Sequence, residues 1–221
     1  SDLGQVPDGG NYETKILSDR RVESVTRDEA IRTRTFWTLA SVTICSSLFG
    51  TGLIFHQSNI LGEIGYTNSE AAAMFLPAAA GSILGGLGFG WLTDRPIRPW
   101  LPAASGFLIA LTTFLGGSVT SLGGVISYVL LFGVAMGGVA SMNTALLPAL
   151  FGVGHIGSIT GSLSFLSVLA SSIGGLAYSL GSNIFGDYRS TSVAFTIVPL
   201  LVAGTALINR RHFLTSESLR G

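Results

Sequence analysis

Three charged side chains lie close together in the segment Gly90-Trp91-Leu92-Thr93-Asp94-Arg95-Pro96-Ile97-Arg98-Pro99. Asp94, Arg95 and Arg98 separate two long apolar runs, and residues 99–186 contain no Asp, Glu, Lys or Arg. A carboxylate beside two guanidinium groups can form charge pairs that break when helices move. We therefore expect a charged turn at a membrane surface, between two spanning helices.

The polar side chains that could contact a solute are mostly uncharged and lie within the apolar runs. In the fifth run, small and polar residues share one face at 100° per residue: Gly157, Thr160, Gly161, Ser164, Ser167, Ser171, Gly175, Tyr178 and Ser182. One interpretation is a packing seam, because small residues let helices approach closely in membranes. The alternative is the wall of a cavity, where the hydroxyl groups bind a passing solute.

The first and fourth runs carry further polar residues. The complete set of predicted cavity residues is Ser47, Thr51, His56, Gln57, Asn59, Tyr128, Asn143, Ser164, Ser167, Ser171 and Tyr178. His56 could bind a substrate or relay a proton, or it could be an interfacial anchor. Pro148 should kink its helix and free a carbonyl near Asn143 and Thr144, which gives a hinge, a polar pocket or a static kink.

Composition places the chain among membrane proteins. It is 48% hydrophobic and 11% charged, with 30 glycines in 221 residues. A formal net charge of zero gives no indication of nucleic-acid binding. The single cysteine, Cys45, excludes an internal disulfide or a cysteine-based metal cluster. We predict no metal site and no cofactor.

Six apolar runs are long enough to cross a bilayer, which takes about 20 residues in a helix. They cover residues 36–60, 71–92, 100–117, 122–150, 158–184 and 191–208. Because backbone polar groups cannot bond to water at that depth, each run must be a helix. The predicted fold class is all-α, an integral membrane bundle of six transmembrane helices.

The small-residue face of the fifth helix has a counterpart in the second, where Gly81, Gly85 and Gly88 share a face. We therefore predict two inverted three-helix repeats, with the second and fifth helices as equivalent middle helices. The third and sixth helices have few polar groups, which predicts peripheral positions facing lipid.

Arginines and lysines set the predicted orientation. With both termini cytoplasmic, Arg189 is the one Arg or Lys outside the cell membrane. Residues 1–35 are then a cytoplasmic linker with a juxtamembrane segment, in which Thr26 and Glu29 form a capping box. Residues 36–208 form the transmembrane domain, and residues 209–221 a cytoplasmic tail. The first methionine is Met74, so we expect a piece of a longer protein.

The charged turn resembles the loop Gly-x-Leu-Ala-Asp-Arg-x-Gly-Arg-Lys of the major facilitator superfamily. The matching residues are Gly90, Leu92, Asp94, Arg95 and Arg98. The resemblance implies the C-terminal six-helix half of a secondary active transporter that moves small solutes by alternating access. It also implies a cytoplasmic gate at Gly90, Asp94, Arg95 and Arg98. The implied partners are the lipid bilayer, a small-molecule substrate and a missing N-terminal six-helix half.

Other segments resemble the monocarboxylate and oxalate-formate branch of that family. They are Arg32-Thr33-Arg34-Thr35-Phe36-Trp37, Phe151-Gly152 and Gly186-Asp187-Tyr188. This resemblance implies small organic anions as substrates.

Two other function classes are alternatives. A rhomboid-like intramembrane protease needs Gly-x-Ser-Gly, which the sequence lacks, and His155 and His212 fall outside the predicted helices. A channel would need a filter-like loop, and no Asn-Pro-Ala pair is present.

Overall fold

A computed structural model describes residues 24–94 and 99–218, with side chains described as far as Arg210. The helices are Arg27–Ala30, Arg34–Gly62, Asn68–Ala73, Phe75–Thr93, Leu101–Ser118, Leu122–Phe151, Ile156–Phe185, Tyr188–Phe195 and Ile197–Ser218. These described residues contain no strand. The predicted all-α class is confirmed.

Six helical stretches are long and apolar enough to cross a membrane. We call them spans 1 to 6: Arg34–Gly62, Asn68–Thr93, Leu101–Ser118, Leu122–Phe151, Ile156–Phe185 and Tyr188–Arg210. Spans 2 and 6 each contain a break in the helix, at Met74 and Thr196. The end of the bundle that carries Arg34 and Phe151 is called the inner end, following the predicted orientation.

Local sequence explains where several spans begin and end. The Thr33 hydroxyl accepts a hydrogen bond from the Phe36 amide at 3.1 Å, and Ser121 accepts one from Gly124 at 3.2 Å. Such N-caps satisfy amides that lack a helical acceptor. Span 5 ends at Gly186, whose φ of 93° favours glycine. The observed bounds lie within a few residues of the predicted ones.

The spans pack in pairs. Span 2 packs mainly on span 4, span 1 on span 5, and span 3 on span 6, while spans 3 and 6 also contact spans 4 and 1. Inverted repeats would relate span 1 to span 4, span 2 to span 5, and span 3 to span 6. Under this relation, the packing of span 2 on span 4 should be repeated as packing of span 5 on span 1. Spans 5 and 1 do pack on each other.

Glycines bring the backbones of both pairs into close contact. In spans 2 and 4, a Cβ added to Gly85 would lie 2.7 Å from Val134 Cα, and one added to Gly137 would lie 2.8 Å from the Ser82 carbonyl carbon. In spans 1 and 5, a Cβ on Gly52 would lie 3.1 Å from the Gly174 carbonyl oxygen. Gly81 also faces span 4, whereas Gly88 faces open space. Of the three glycines predicted to share a face of span 2, Gly81 and Gly85 therefore form packing contacts with span 4.

The predicted lipid-facing position of span 3 is wrong. The most apolar part of span 3 is 61% buried, the highest value among the spans, whereas that of span 6 is 22% buried. Thr112 and Thr113 of span 3 are buried, with hydroxyls that donate to the Ile109 carbonyl. A lack of polar residues does not predict lipid exposure, because lipid tails and a membrane-protein interior are equally apolar.

The predicted juxtamembrane capping box is present, and its helix packs on the inner end of the bundle. Thr26 and Glu29 cap Arg27–Ala30, and the Arg27 Nε donates to Ser162 Oγ at 2.8 Å. The Val25 amide donates to the Phe151 carbonyl at 3.0 Å. The remainder of the predicted linker, residues 1–23, lies outside the described residues. The helix of span 6 continues to Ser218, into the predicted tail.

At the opposite, outer end, two carboxylates bind the first turn of span 6. Glu63 accepts hydrogen bonds from the amides of Tyr188 at 2.9 Å and Arg189 at 3.2 Å. Asp187 is the N-cap residue and accepts from the Ser190 amide and hydroxyl. These hydrogen bonds, the amide first, and the nearby Arg189 charge hold the pKa of the Asp187 carboxyl below its usual range.

The lowered pKa predicts a pH dependence of stability. The pKa of the Asp187 carboxyl is lower in the folded chain than in the unfolded chain, so the ionised carboxylate stabilises the fold. This stabilisation is complete above the unfolded pKa of about 3.9. That stabilisation is lost as the pH falls through the folded pKa. Between pH ~7 and ~3, we expect the unfolding temperature of the native protein to fall further than that of Asp187→Asn, which keeps an acceptor but does not titrate. Equal falls in the two proteins would contradict this assignment.

Candidate functional site

A polar groove runs along spans 1, 4 and 5. Its outer part, about 780 Å³, is lined by Ser47, Thr51, Phe55, His56, Asn59, Ser167, Val168, Ser171, Ser172 and Gly175. Its inner part, about 530 Å³, is lined by Thr43, Asn143, Thr144, Leu147, Pro148, Ile156, Thr160, Leu163, Ser164, Ser167 and Val168. Ser167 and Val168 line both parts, so the two parts are adjacent along span 5.

Hydrogen bonds between spans 1 and 5 form the floor of the outer part. Ser47 Oγ lies 2.6 Å from Ser167 Oγ, and Thr51 Oγ1 lies 2.7 Å from Ser171 Oγ. The same four residues line the groove. The polar face of span 5 therefore packs against span 1 along one edge and lines the groove along the other.

His56 joins spans 1 and 5 near the outer end of the groove. Its Nε2 lies 3.0 Å from the Gly175 carbonyl, which can only accept, so Nε2 carries the proton. Asn59 Nδ2 lies 3.3 Å from Nδ1, and the ring stacks on Tyr188 with centroids 4.6 Å apart. Both ring nitrogens are thus engaged, and a proton relay through His56 would require one of these contacts to break.

Asn143 of span 4 lies in the inner part of the groove. Its Nδ2 donates to Thr43 Oγ1 at 2.9 Å, which links span 4 to span 1. Its Oδ1 is buried and accepts no hydrogen bond from a described residue. Pro148 lies one turn further along the same wall and carries no amide hydrogen.

Three predicted cavity residues lie away from the groove. Gln57 is buried and donates through Nε2 to the Ala71 carbonyl at 2.9 Å. Tyr128 is fully buried in the hydrophobic core. Tyr178 is also fully buried, packed against Phe49. Its hydroxyl makes no hydrogen bond with any residue in the described part, although Ser192 lies close to it.

Sequence reasoning did not select several residues that line the groove. Phe55, Val168 and Ser172 are among them, whereas Thr144 was predicted only as a neighbour of the kink at Pro148. Thr144 and Ser172 each donate to a carbonyl of the preceding helical turn, a pairing that leaves the hydroxyl oxygen able to accept. The proline at Pro148 was the signal for Thr144, and position beside Ser171 was the one available signal for Ser172.

The groove wall carries no permanently charged side chain among its described residues. None of the described residues that line either part is an Asp, Glu, Lys or Arg. The wall offers hydroxyls, amides and one imidazole, together with apolar side chains. It can therefore form hydrogen bonds with a solute, and His56 is the one ionisable side chain among its described lining residues.

The predicted gate loop is partly described. Span 2 ends at Thr93, whose hydroxyl donates to the Gly90 carbonyl at 2.8 Å, and Asp94 follows as an exposed C-cap residue. A Cβ on Gly90 would lie 3.4 Å from Ser141 Oγ of span 4. Arg95 and Arg98 lie outside the described residues.

Comparison with known proteins identifies the family. The family model described as Major Facilitator Superfamily matches residues 10–175, which is more than half of the chain. This chain belongs to the Major Facilitator Superfamily. A comparison with curated proteins gave no match.

Membership of the Major Facilitator Superfamily agrees with the six apolar spans. The chain is a multi-pass protein of a membrane-transporter family. The groove along spans 1, 4 and 5 is accordingly the candidate site for a transported solute.

Proposed function

We propose that this chain is the C-terminal half of a secondary active transporter that moves a small polar solute by alternating access. The supporting observation is the two-part groove, which places hydrogen-bonding groups along spans whose other exposed surfaces are largely apolar. A solute that leaves water would find replacement hydrogen bonds along this wall.

A second six-helix bundle would supply the opposite wall. Spans 2 and 5 are only 17% and 22% buried in their most apolar parts, so they leave much surface available to a partner. Alternating access requires two bundles that rock about a site between them. In our proposal the partner is the N-terminal half, and residues 1–35 form the cytoplasmic linker to it.

Small organic anions are the second candidate substrates, from the resemblance to the monocarboxylate branch. In the described part of the chain, no Arg or Lys lines the groove, and His56 is its one basic side chain. A bound carboxylate needs a compensating charge once it leaves water. Anion transport by this protein would therefore depend on protonation of His56 or on a basic residue in the other half.

Uptake by the full-length transporter in proteoliposomes tests the proposal. The probes are radiolabelled glycerol and myo-inositol as uncharged solutes, and lactate and oxalate as anions. We expect saturable uptake that unlabelled probe inhibits. Flux that rises linearly with concentration would support a pore instead, and absence of protein-dependent flux for all four probes would overturn the proposal.

The gate assignment predicts a defect in Asp94→Asn. If the Asp94 carboxylate pairs with a basic residue in one state, its loss should lower the uptake rate by up to about fivefold, since an exposed charge pair is worth at most about 1 kcal/mol. Asp28→Asn is the matched control, because Asp28 is an exposed carboxylate at the same predicted membrane face. Insertion should be unchanged in both variants. Normal uptake by Asp94→Asn would remove the gate role.

A further inference from the structure

Another groove lies at the inner end of the bundle, apart from the polar groove. We call it the juxtamembrane groove. It is formed by the short helix Arg27–Ala30 and the inner ends of spans 1 and 5, and its volume is about 540 Å³. It shares no lining residue with either part of the polar groove. A ligand there would bind beside the candidate path for solute and not within it.

A guanidinium group is held at the surface end of the juxtamembrane groove. Arg27 Nε donates to Ser162 Oγ at 2.8 Å, and Ser162 Oγ donates to the Ser158 carbonyl at 3.0 Å. The two NH₂ groups of Arg27 make no hydrogen bond or ion pair with any described residue, and Arg27 is exposed. None of the described lining residues is an Asp or Glu. The groove therefore has an accessible positive charge with unused donors.

The rest of the juxtamembrane groove is apolar and open. Trp37 and Phe165 line it, with 52% and 64% of their side chains exposed. Gly161 also lines it, and an added Cβ there would have no atom within 4 Å. The backbone of span 5 can therefore be approached closely at this point. A wall of this composition suits a hydrocarbon chain.

The depth of these residues matches the layers of a bilayer. Span 5 has 30 residues, which is about 45 Å of helix, whereas the hydrocarbon core is about 30 Å thick. A centred span extends about 7 Å past the hydrocarbon at each end, and Ser162 lies about 9 Å from the inner end. Arg27 thus lies near the phosphate layer, while Phe165 and Leu166 lie deeper, in the hydrocarbon. Tryptophan, as at Trp37, is enriched at this interface.

We propose that the juxtamembrane groove binds an anionic phospholipid. The phosphate group contacts Arg27, and one acyl chain lies along Gly161 and Phe165. A zwitterionic headgroup brings its own cation near the guanidinium, whereas an anionic headgroup does not, so the site prefers the anionic lipid. In the predicted orientation this end faces the cytoplasmic leaflet, which carries anionic lipids. The inference does not depend on which solute the protein transports.

Photo-crosslinking of lipid tests the site in the full-length transporter. The probe is phosphatidylglycerol with a diazirine in one acyl chain, added to the protein in detergent, and mass spectrometry maps the cross-linked peptides. We expect cross-links within residues 158–166. Unlabelled phosphatidylglycerol should compete at about fivefold lower concentration than phosphatidylcholine, as expected for one arginine beside an anionic headgroup. Inorganic phosphate should not compete, because it has no chain to contact the apolar wall.

Variants separate the contributions of the charge and of the apolar wall. Arg27→Gln should remove the preference for phosphatidylglycerol, and Arg27→Lys should retain most of it. Arg210→Gln should keep the preference, because Arg210 is exposed at the same end of the bundle but does not line this groove. Gly161→Leu should lower cross-linking within residues 158–166, since leucine occupies the space of the chain. Gly204→Leu is its control, because an added Cβ there also has no atom within 4 Å.

Several results would each overturn the lipid site. In the native protein they are absence of cross-links within residues 158–166, equal competition by the two lipids, and competition by inorganic phosphate. Absence of cross-links would show that another protein surface covers the groove, and competition by phosphate would indicate a site for a free anion. In the variants they are an unchanged preference in Arg27→Gln and an equal loss in Arg210→Gln. The competition in native protein decides the question even if a variant fails to fold.

Discussion

Replacement of Gly85 by leucine is expected to prevent correct assembly of the transporter. A Cβ at this position would lie 2.7 Å from Val134 Cα, and nearer still to the Val134 carbonyl oxygen. Both contact atoms belong to backbone, so no side chain can rotate away. Adding even one methyl group to such a contact costs about 1–3 kcal/mol, and leucine adds several carbons. The yield of monodisperse full-length protein should therefore fall sharply.

Gly204→Leu is the control for this substitution. Gly204 lies in span 6, is exposed, and has no atom within 4 Å of an added Cβ. The same side chain should be tolerated there, with a normal yield and unfolding temperature. A normal yield for Gly85→Leu would show that spans 2 and 4 are not packed backbone to backbone.

The second large effect is expected from Ser167→Trp, which should reduce uptake to the level of protein-free liposomes. Ser167 lines both parts of the groove, so an indole there would occupy space in both of them. The substitution also removes the 2.6 Å hydrogen bond to Ser47. Interhelical hydrogen bonds of this kind average only about 0.6 kcal/mol in membranes, so their loss should not prevent folding.

Two controls separate obstruction from other effects. Ser167→Ala removes the hydrogen bond without filling the groove and should retain most of the uptake. Leu169→Trp places the same indole at an exposed position on span 5 that lines neither part of the groove. It should transport normally. Loss of uptake in either control, or normal uptake by Ser167→Trp, would contradict the proposed path.

The sequence predicted the fold well, because length and apolar composition alone decide which segments can cross a membrane. All six spans and the Thr26–Glu29 capping box are present in the structure. The position of span 3 was not predictable in this way. Its burial depends on contacts with spans 1, 4 and 6, and apolar residues suit both lipid and a helical interior.

The candidate site was predictable only in part. Periodicity located Ser167 and Ser171 on the polar face of span 5, and the structure brings them against Ser47 and Thr51. The same periodicity placed Tyr178 on that face, yet it is fully buried. Helical periodicity gives the direction of a side chain, whereas the partner helix that covers it is set by tertiary packing.

The unused acceptor of Asn143 could not be deduced from sequence. Its orientation depends on Thr43, a residue of a different span, and on the bond from Thr43 to Leu39. The sequence indicated that Pro148 frees a carbonyl near Asn143 and Thr144, but it did not indicate which amide atom of Asn143 is paired. Which amide atom is free follows from the three-dimensional contacts.

Cysteine accessibility along span 5 of the full-length transporter tests most directly whether this groove is a path for solute. Single cysteines at Ser164, Ser167 and Ser171 line the groove, whereas Leu169 and Ile173 are exposed positions outside it. With a membrane-impermeant maleimide, we predict faster labelling at the three serine positions. Labelling there that is no faster than at Leu169 and Ile173 would contradict the account, and would reduce the polar face to a helix-packing seam.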